Sequence, residues 1–276
     1  MAKQNDGVDL YGALPSKFQP FEPVNYSPYI MLLSGLLVGF GTRFGSGCTS
    51  GHGICGLARR SVRSVAGVGA FMTTGCLTAT LSAKYLGDLY DLKESDRFKS
   101  EMLAQLSQYA LPLVVAALLA GSAWAGMRGI ANESIVSLLP STLCGFGFST
   151  GLCYSGMTKP EFVRGALNLD PATFPQHFNP SLYFVLVGGL GMSVTLFPVI
   201  LKFMKEPLFA KMWHLPTAKF IDRRLMTGTS IFGVGWGLGG VCPGPGIVCL
   251  GSGEDSAPLW IWVAALIAGM RFAMLV

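Results

Sequence analysis

Seven glycines, two cysteines and a histidine share the stretch from Gly39 to Gly56, and apolar runs flank it on both sides. A thiol is a weak donor, a weak acceptor and a polarisable atom, so Cys48 suits a soft, sulfur-containing solute better than a small hard ion. Gly51 and Gly53 let backbone approach a ligand closely, and Ser50 and His52 add side chains that hydrogen-bond. A second loop, Gly233 to Gly246, repeats the arrangement: an apolar run, a glycine-rich stretch, then Cys242 followed by Gly244 and Gly246. A short helix that starts after such a break turns unpaired N–H groups and the positive end of its dipole into the gap, which is chemistry for anions. We read Cys48, Ser50, Gly51, His52, Gly53, Cys242, Gly244 and Gly246 as a substrate pathway. Cys55, Cys153, Cys249, Arg59 and Lys159 form a second tier. No residue is assigned a catalytic role.

Plainer readings compete at each position. Isolated glycines in membrane helices are packing positions, and Cys76 and Cys144 read as small buried hydrophobes. Arg43, Arg59, Arg60 and Arg63 bracket the first break, and Lys159 and Arg164 follow the second; such cations snorkel to an interface, although their sign draws anions and no acidic ring argues for a cation path. Cys48, His52 and Cys55 could ligate zinc or copper, but their spacing matches no common zinc module, so neither a metal nor another cofactor is expected. Ser50 and His52 lie too close on one loop to be expected to reach the geometry of a nucleophile and its base. A thiol enzyme, in which Cys48 or Cys242 becomes a persulfide, is the competing class.

These residues need elements that hold them inside a low-dielectric medium, and the composition supplies them. Of 276 residues 51% are hydrophobic and 13% charged, against about 25% charged in a soluble domain, and the mean hydropathy is +0.49. The net charge of +5 is modest and forms no basic stripe with interleaved aromatics, which excludes nucleic acid as a partner. The seven cysteines are an odd number in apolar or glycine-rich surroundings, a pattern for thiols and not for a disulfide scaffold. The bilayer is the expected surrounding, with the chain a multi-pass integral protein of the cell (inner or plasma) membrane.

In order, residues 1–28 read as a polar tail without the apolar core of a signal peptide, and 29–276 as one transmembrane transport domain. Repeat-like units span about 29–86, 135–204 and 223–276, each an apolar segment, a glycine-rich break, a short segment and a span; 84–106 is a charged connection and 109–127 a further span. Glycine-rich backbone makes a poor continuous helix, at about 1 kcal/mol per glycine relative to alanine, so the Gly39–Gly56 stretch is expected to be broken. The connection 202–224 carries six basic and two acidic residues, which places it in the cytoplasm by charge bias. The fold class is thus an all-α membrane protein, a multi-pass helical bundle with pseudo-symmetric repeats whose short re-entrant half-helices meet at a central constriction, the architecture of a transporter or channel.

At these motifs the sequence resembles the YeeE/YedE family of sulfur-compound transporters. The matching text is Gly47-Cys-Thr-Ser-Gly-His-Gly-Ile-Cys-Gly-Leu-Ala-Arg59 with Phe71-Met-Thr-Thr-Gly75, then Ser155-Gly-Met-Thr-Lys-Pro160, Asn179-Pro-Ser181, and the run from Gly233 to Gly246. The resemblance implies uptake of thiosulfate or a related small sulfur anion, pathway cysteines at Cys48 and Cys242, no enzymatic step, and a soluble sulfur-carrier protein as partner on the cytoplasmic side. Members of that family carry a further unit, with another pathway cysteine, ahead of the segment matching Cys48 to Gly53. From its lack here we expect a truncated product or a subunit that works with another membrane protein. Cys153 stands where many of them have an apolar residue, so it inherits no role.

Overall fold

A computed structural model describes residues 27–86, 132–170, 178–204, 220–250 and 257–276, with single positions at 206, 213, 215, 216 and 218. The expected polar tail, most of the charged connection, the span at 109–127 and much of the 202–224 connection lie outside the described residues. Within them the regular structure is helical throughout. Helix α1 runs Pro28–Phe44, a π-helix Thr49–Gly56, α2 Val62–Tyr85, α3 Asn132–Tyr154, α4 Pro160–Leu167, α5 Ser181–Phe203, α6 Arg223–Gly239, α7 Pro243–Leu250 and α8 Ala257–Phe272.

Helices α2 and α5, of 24 and 23 residues, are each long and apolar enough to cross a membrane; at 1.5 Å per residue they measure about 35 Å. Helix α1 with the π-helix, and α6 with α7, reach that length only as pairs, bent by 41° and 44° at their breaks. The two bends are nearly equal, and each carries its cysteine in the break. A third short helix, α4, follows α3 after the non-helical residues 155–159.

The centre of the bundle is α6, which packs against α1 on one side and α2 on the other, while α8 covers the far side of α1. Small residues make this closeness available, since lipid offers helices no hydrophobic reason to associate and contact area must come from packing. A side chain at Gly39 would stand on the Leu266 carbonyl of α8, one at Gly41 on the Phe232 backbone of α6, and one at Gly237 on the Gly75 carbonyl of α2. Phe71, Phe232 and Trp236 then fill the α2–α6 seam, Phe71 edge-on to the other two rings and Phe232 stacked on Trp236, with ring centroids 5.6 to 6.1 Å apart.

This packing corrects one expectation. The backbone between Gly39 and Gly56 is not broken throughout: Gly39 to Phe44 continue α1, the break is confined to residues 45–48, and Thr49 to Gly56 form a widened helix. The glycines of 233–239 likewise stay helical in α6. Gly39, Gly41, Gly233, Gly235 and Gly237 abut backbone of a neighbouring helix and Gly239 the Ser34 side chain, close packing that offsets the helix propensity they lack. The bend out of α6 falls instead on Gly240, at φ 68°, whose N–H returns to the Trp236 carbonyl. That is the left-handed glycine stop of a helix. Proline then opens the next short helix at Pro243, as at Pro160, where a missing N–H costs nothing.

Candidate functional site

The first break is a turn held by one side chain. Gly45 N–H closes α1 on the Gly41 carbonyl, Ser46 takes φ 60°, and Cys48 is extended before the π-helix begins. His52, buried, reaches both ways: Nε2 lies 3.2 Å from the Gly45 carbonyl and Nδ1 3.3 Å from the Ser64 hydroxyl. A carbonyl only accepts, so Nε2 carries the proton and Nδ1 accepts from Ser64. The imidazole therefore joins α1, the π-helix and the first turn of α2, and its ring occupies the space a side chain at Gly47 would need. Cys48, half-buried, hydrogen-bonds Ser50 at 3.2 Å.

The second break meets the first through sulfur. Cys242 is buried and its Sγ accepts from Trp236 Nε1 at 2.9 Å and from the Thr49 hydroxyl at 3.8 Å. Thr49 follows Cys48 directly, so a donor from one cysteine loop rests on the thiol of the other. The third break joins them: the Cys249 thiol of α7 donates to the Thr158 carbonyl at 3.3 Å, and a side chain at Gly240 would meet the Pro160 carbonyl. Lys159, buried at the same break, holds its ammonium 5.7 Å from the Phe162 ring centroid.

The remaining positions separate into two groups. Gly51 and Gly53 are open: the nearest atom to a side chain at Gly51 would be Cys48 Sγ at 4.0 Å, and nothing described comes within 4 Å at Gly53. Gly244 faces the Phe148 ring and Gly246 the Trp262 ring, so both are packing positions. Cys55 is exposed, and the Arg59 guanidinium donates to the Cys55 and Pro216 carbonyls at 3.2 Å each. Cys153 is half-buried near the end of α3. Thr49, Ser64, Trp236 and Thr158 contribute to the arrangement without having been singled out in the sequence.

The arrangement is a sheltered junction of three backbone breaks with thiols, hydroxyls and an indole N–H, and cations at its edge. Outside the bundle interior, Asp222 caps α6 by accepting the Leu225 N–H at 2.7 Å and pairs with Arg63 at 3.0 Å. The amide and then the guanidinium hold its carboxyl below the usual aspartate range.

Residues 135–276, more than half of the chain, match a family of unknown function, DUF6691. The chain is similar to a probable transporter of Xylella fastidiosa strain 9a5c, 44% identical over 127 residues that make up 45% of this chain and 80% of that protein. A probable transporter of strain Temecula1 is 45% identical over 127 residues, covering 45% of this chain and 78% of the relative. Another from that strain is 53% identical over 55 residues, 20% of this chain and 41% of the relative. No solved structure matches.

Proposed function

From the premise that this chain belongs to the DUF6691 family, with relatives that are named probable transporters, we propose that it is a membrane transporter whose cargo is a small sulfur-containing anion, thiosulfate or a close analogue. The anion passes Cys48 and Cys242 where the broken helices meet. The observation that carries this reading is the Thr49 hydroxyl on the Cys242 sulfur, which brings two thiol loops, 193 positions apart, to one point inside the bundle.

A dianion enters a low-dielectric waist only where hydrogen-bond donors replace its water. Two donors already occupy the Cys242 sulfur, so what that thiol has left to give is its S–H. A soft outer sulfur is a matched acceptor for it, and a hard sulfate oxygen is a poorer one. Weak, successive contacts of this kind let cargo leave as readily as it enters. The open flank of Gly51 and Gly53 adds backbone approach beside Cys48.

The test is uptake of radiolabelled thiosulfate into proteoliposomes holding this chain alone. Wild-type vesicles are expected to accumulate label, Cys48→Ala and Cys242→Ala vesicles to lose most of it, and intact protein mass to stay constant. Absence of uptake by the wild type overturns the reading. A mass gain of one sulfur atom at Cys48 or Cys242 replaces it with thiol transfer chemistry.

A further inference from the structure

Beside the first break lies a cavity of about 580 Å³, between the π-helix with the start of α2 on one side and α5 on the other. Its two walls differ in chemistry. From Met192 to Ile200, α5 presents mostly apolar side chains, whereas the facing wall presents Arg59, Arg63, Ser61 and the exposed thiol of Cys55, with Ser46 at the break.

The charge on the polar wall is only partly compensated. Arg63 is paired with Asp222 at 3.0 Å and also donates to the Phe220 carbonyl at 2.7 Å. Arg59 donates to two carbonyls, which fix its position and leave its charge intact, and among the described residues no carboxylate lies within ion-pairing distance of it. Among the described residues no Asp or Glu lines the cavity. A guanidinium has five N–H donors in a planar fork, so N–H groups remain beyond the two carbonyl bonds. The Ser61 oxygen accepts the Ser64 N–H, which leaves its O–H to donate.

We propose that this cavity is a binding site for a hydrated tetrahedral oxyanion, held by Arg59 with hydroxyls from Ser46 and Ser61, and with the Cys55 thiol facing the ligand. The volume suits that occupant: at roughly 30 Å³ of liquid per water, the space takes a dianion together with much of its hydration shell. The cavity also adjoins the proposed pathway, because Gly51 lines it and the flank of Gly51 abuts Cys48 Sγ. It is therefore an antechamber in which the anion keeps its water before or after the waist. The site rests on the transport reading only for that sequence of steps; its ligand chemistry stands on the cavity itself.

The experiment uses the full chain purified in detergent and times the labelling of Cys55, located by peptide mass. Two reagents are compared, the anionic 2-sulfonatoethyl methanethiosulfonate and its cationic trimethylammonium counterpart. With each rate divided by that reagent's rate against a small free thiol, the anionic reagent is expected to be favoured about tenfold, the low end of what a cleft lined by one sign of charge provides. Sulfate is expected to slow it more than chloride does at equal ionic strength. Arg59→Gln should remove both the preference and the protection, and Arg59→Lys should retain the preference. Equal normalised rates for the two reagents, or sulfate no better than chloride, overturns the proposal in the wild type without relying on any variant folding. Slowing by phosphatidylglycerol without slowing by sulfate assigns the cavity to a lipid headgroup and overturns it too. Protection by sulfate without thiosulfate uptake into vesicles upholds this site and removes the cargo, and uptake without protection does the reverse.

Discussion

At the scale of single residues, the Cys242 sulfur and the His52 ring make opposite kinds of contribution. Cys242 is held by donors, of which the Trp236 N–H is the nearer. Trp236→Phe removes the N–H together with part of a fully buried ring system that packs edge-on against Phe71 and stacks on Phe232. Uptake should therefore fall by at least roughly threefold to tenfold, the value of one ordinary hydrogen bond, and the melting temperature should fall as well because a cavity is left. Uptake equal to wild type would detach the indole from the pathway. His52 has both nitrogens engaged, which makes it a bracket between helices. His52→Ala leaves a buried carbonyl and hydroxyl unpaired and should cost about 1–3 kcal/mol, visible as a lowered melting temperature. The cysteines, Ser50 and His52 were legible in the sequence because rare side chains beside glycines stand out. Thr49 and Trp236 were not, since nothing in local spacing says that a hydroxyl will meet a sulfur 193 positions away.

Elements are where the sequence was read best and also where it misled. Alternating apolar and glycine-rich stretches gave the bent pairs and their order. The same glycines were expected to break α1 and α6 where they instead let helices touch, because the sequence shows a missing side chain and not the backbone that fills its place. Gly39→Ala should therefore destabilise the α1–α8 contact by about 1–3 kcal/mol, since its Cβ has only the Leu266 backbone to displace. Ser46 tests the break itself: a non-glycine residue at φ 60° carries about 1 kcal/mol of strain, so Ser46→Gly should raise the melting temperature slightly if the turn is kept. Asp222 tests the start of α6. Its carboxyl titrates below the unfolded value, so its stabilising share is complete above about pH 4 and is lost as pH falls through the depressed folded value. Asp222→Asn should lower the melting temperature at pH 7, and the gap to wild type should narrow only in acid; a gap that closes between pH 7 and pH 5 would assign it to another group.

Considered as a whole, three chain breaks converge in one bundle, with Arg59 and Arg63 at the outer end of the first. With the 202–224 connection taken as cytoplasmic on its six basic against two acidic residues, the Arg59 cavity opens inward, since Arg59 and Arg63 bond to Pro216 and Phe220 of that connection. An anion moving inward against an inside-negative potential climbs about 2.3 kcal/mol per charge for each 100 mV, which is about twice that for a dianion. Arg59 lowers the local energy of the anion at the cavity but cannot alter the total climb, because it stays behind. A cation carried along would remove the cost, but among the described residues no carboxylate lines the cavity to hold one. Uptake as proposed should then move net charge. With valinomycin present, potassium in excess outside the vesicles, which makes the lumen positive, should speed thiosulfate entry about tenfold or more relative to potassium in excess inside, which makes it negative, because only part of that 4 to 5 kcal/mol difference per 100 mV falls before the rate-limiting step. Entry that ignores the imposed potential would mean that the charge is balanced within the transport cycle, by a coupling cation whose ligands lie away from the Arg59 cavity.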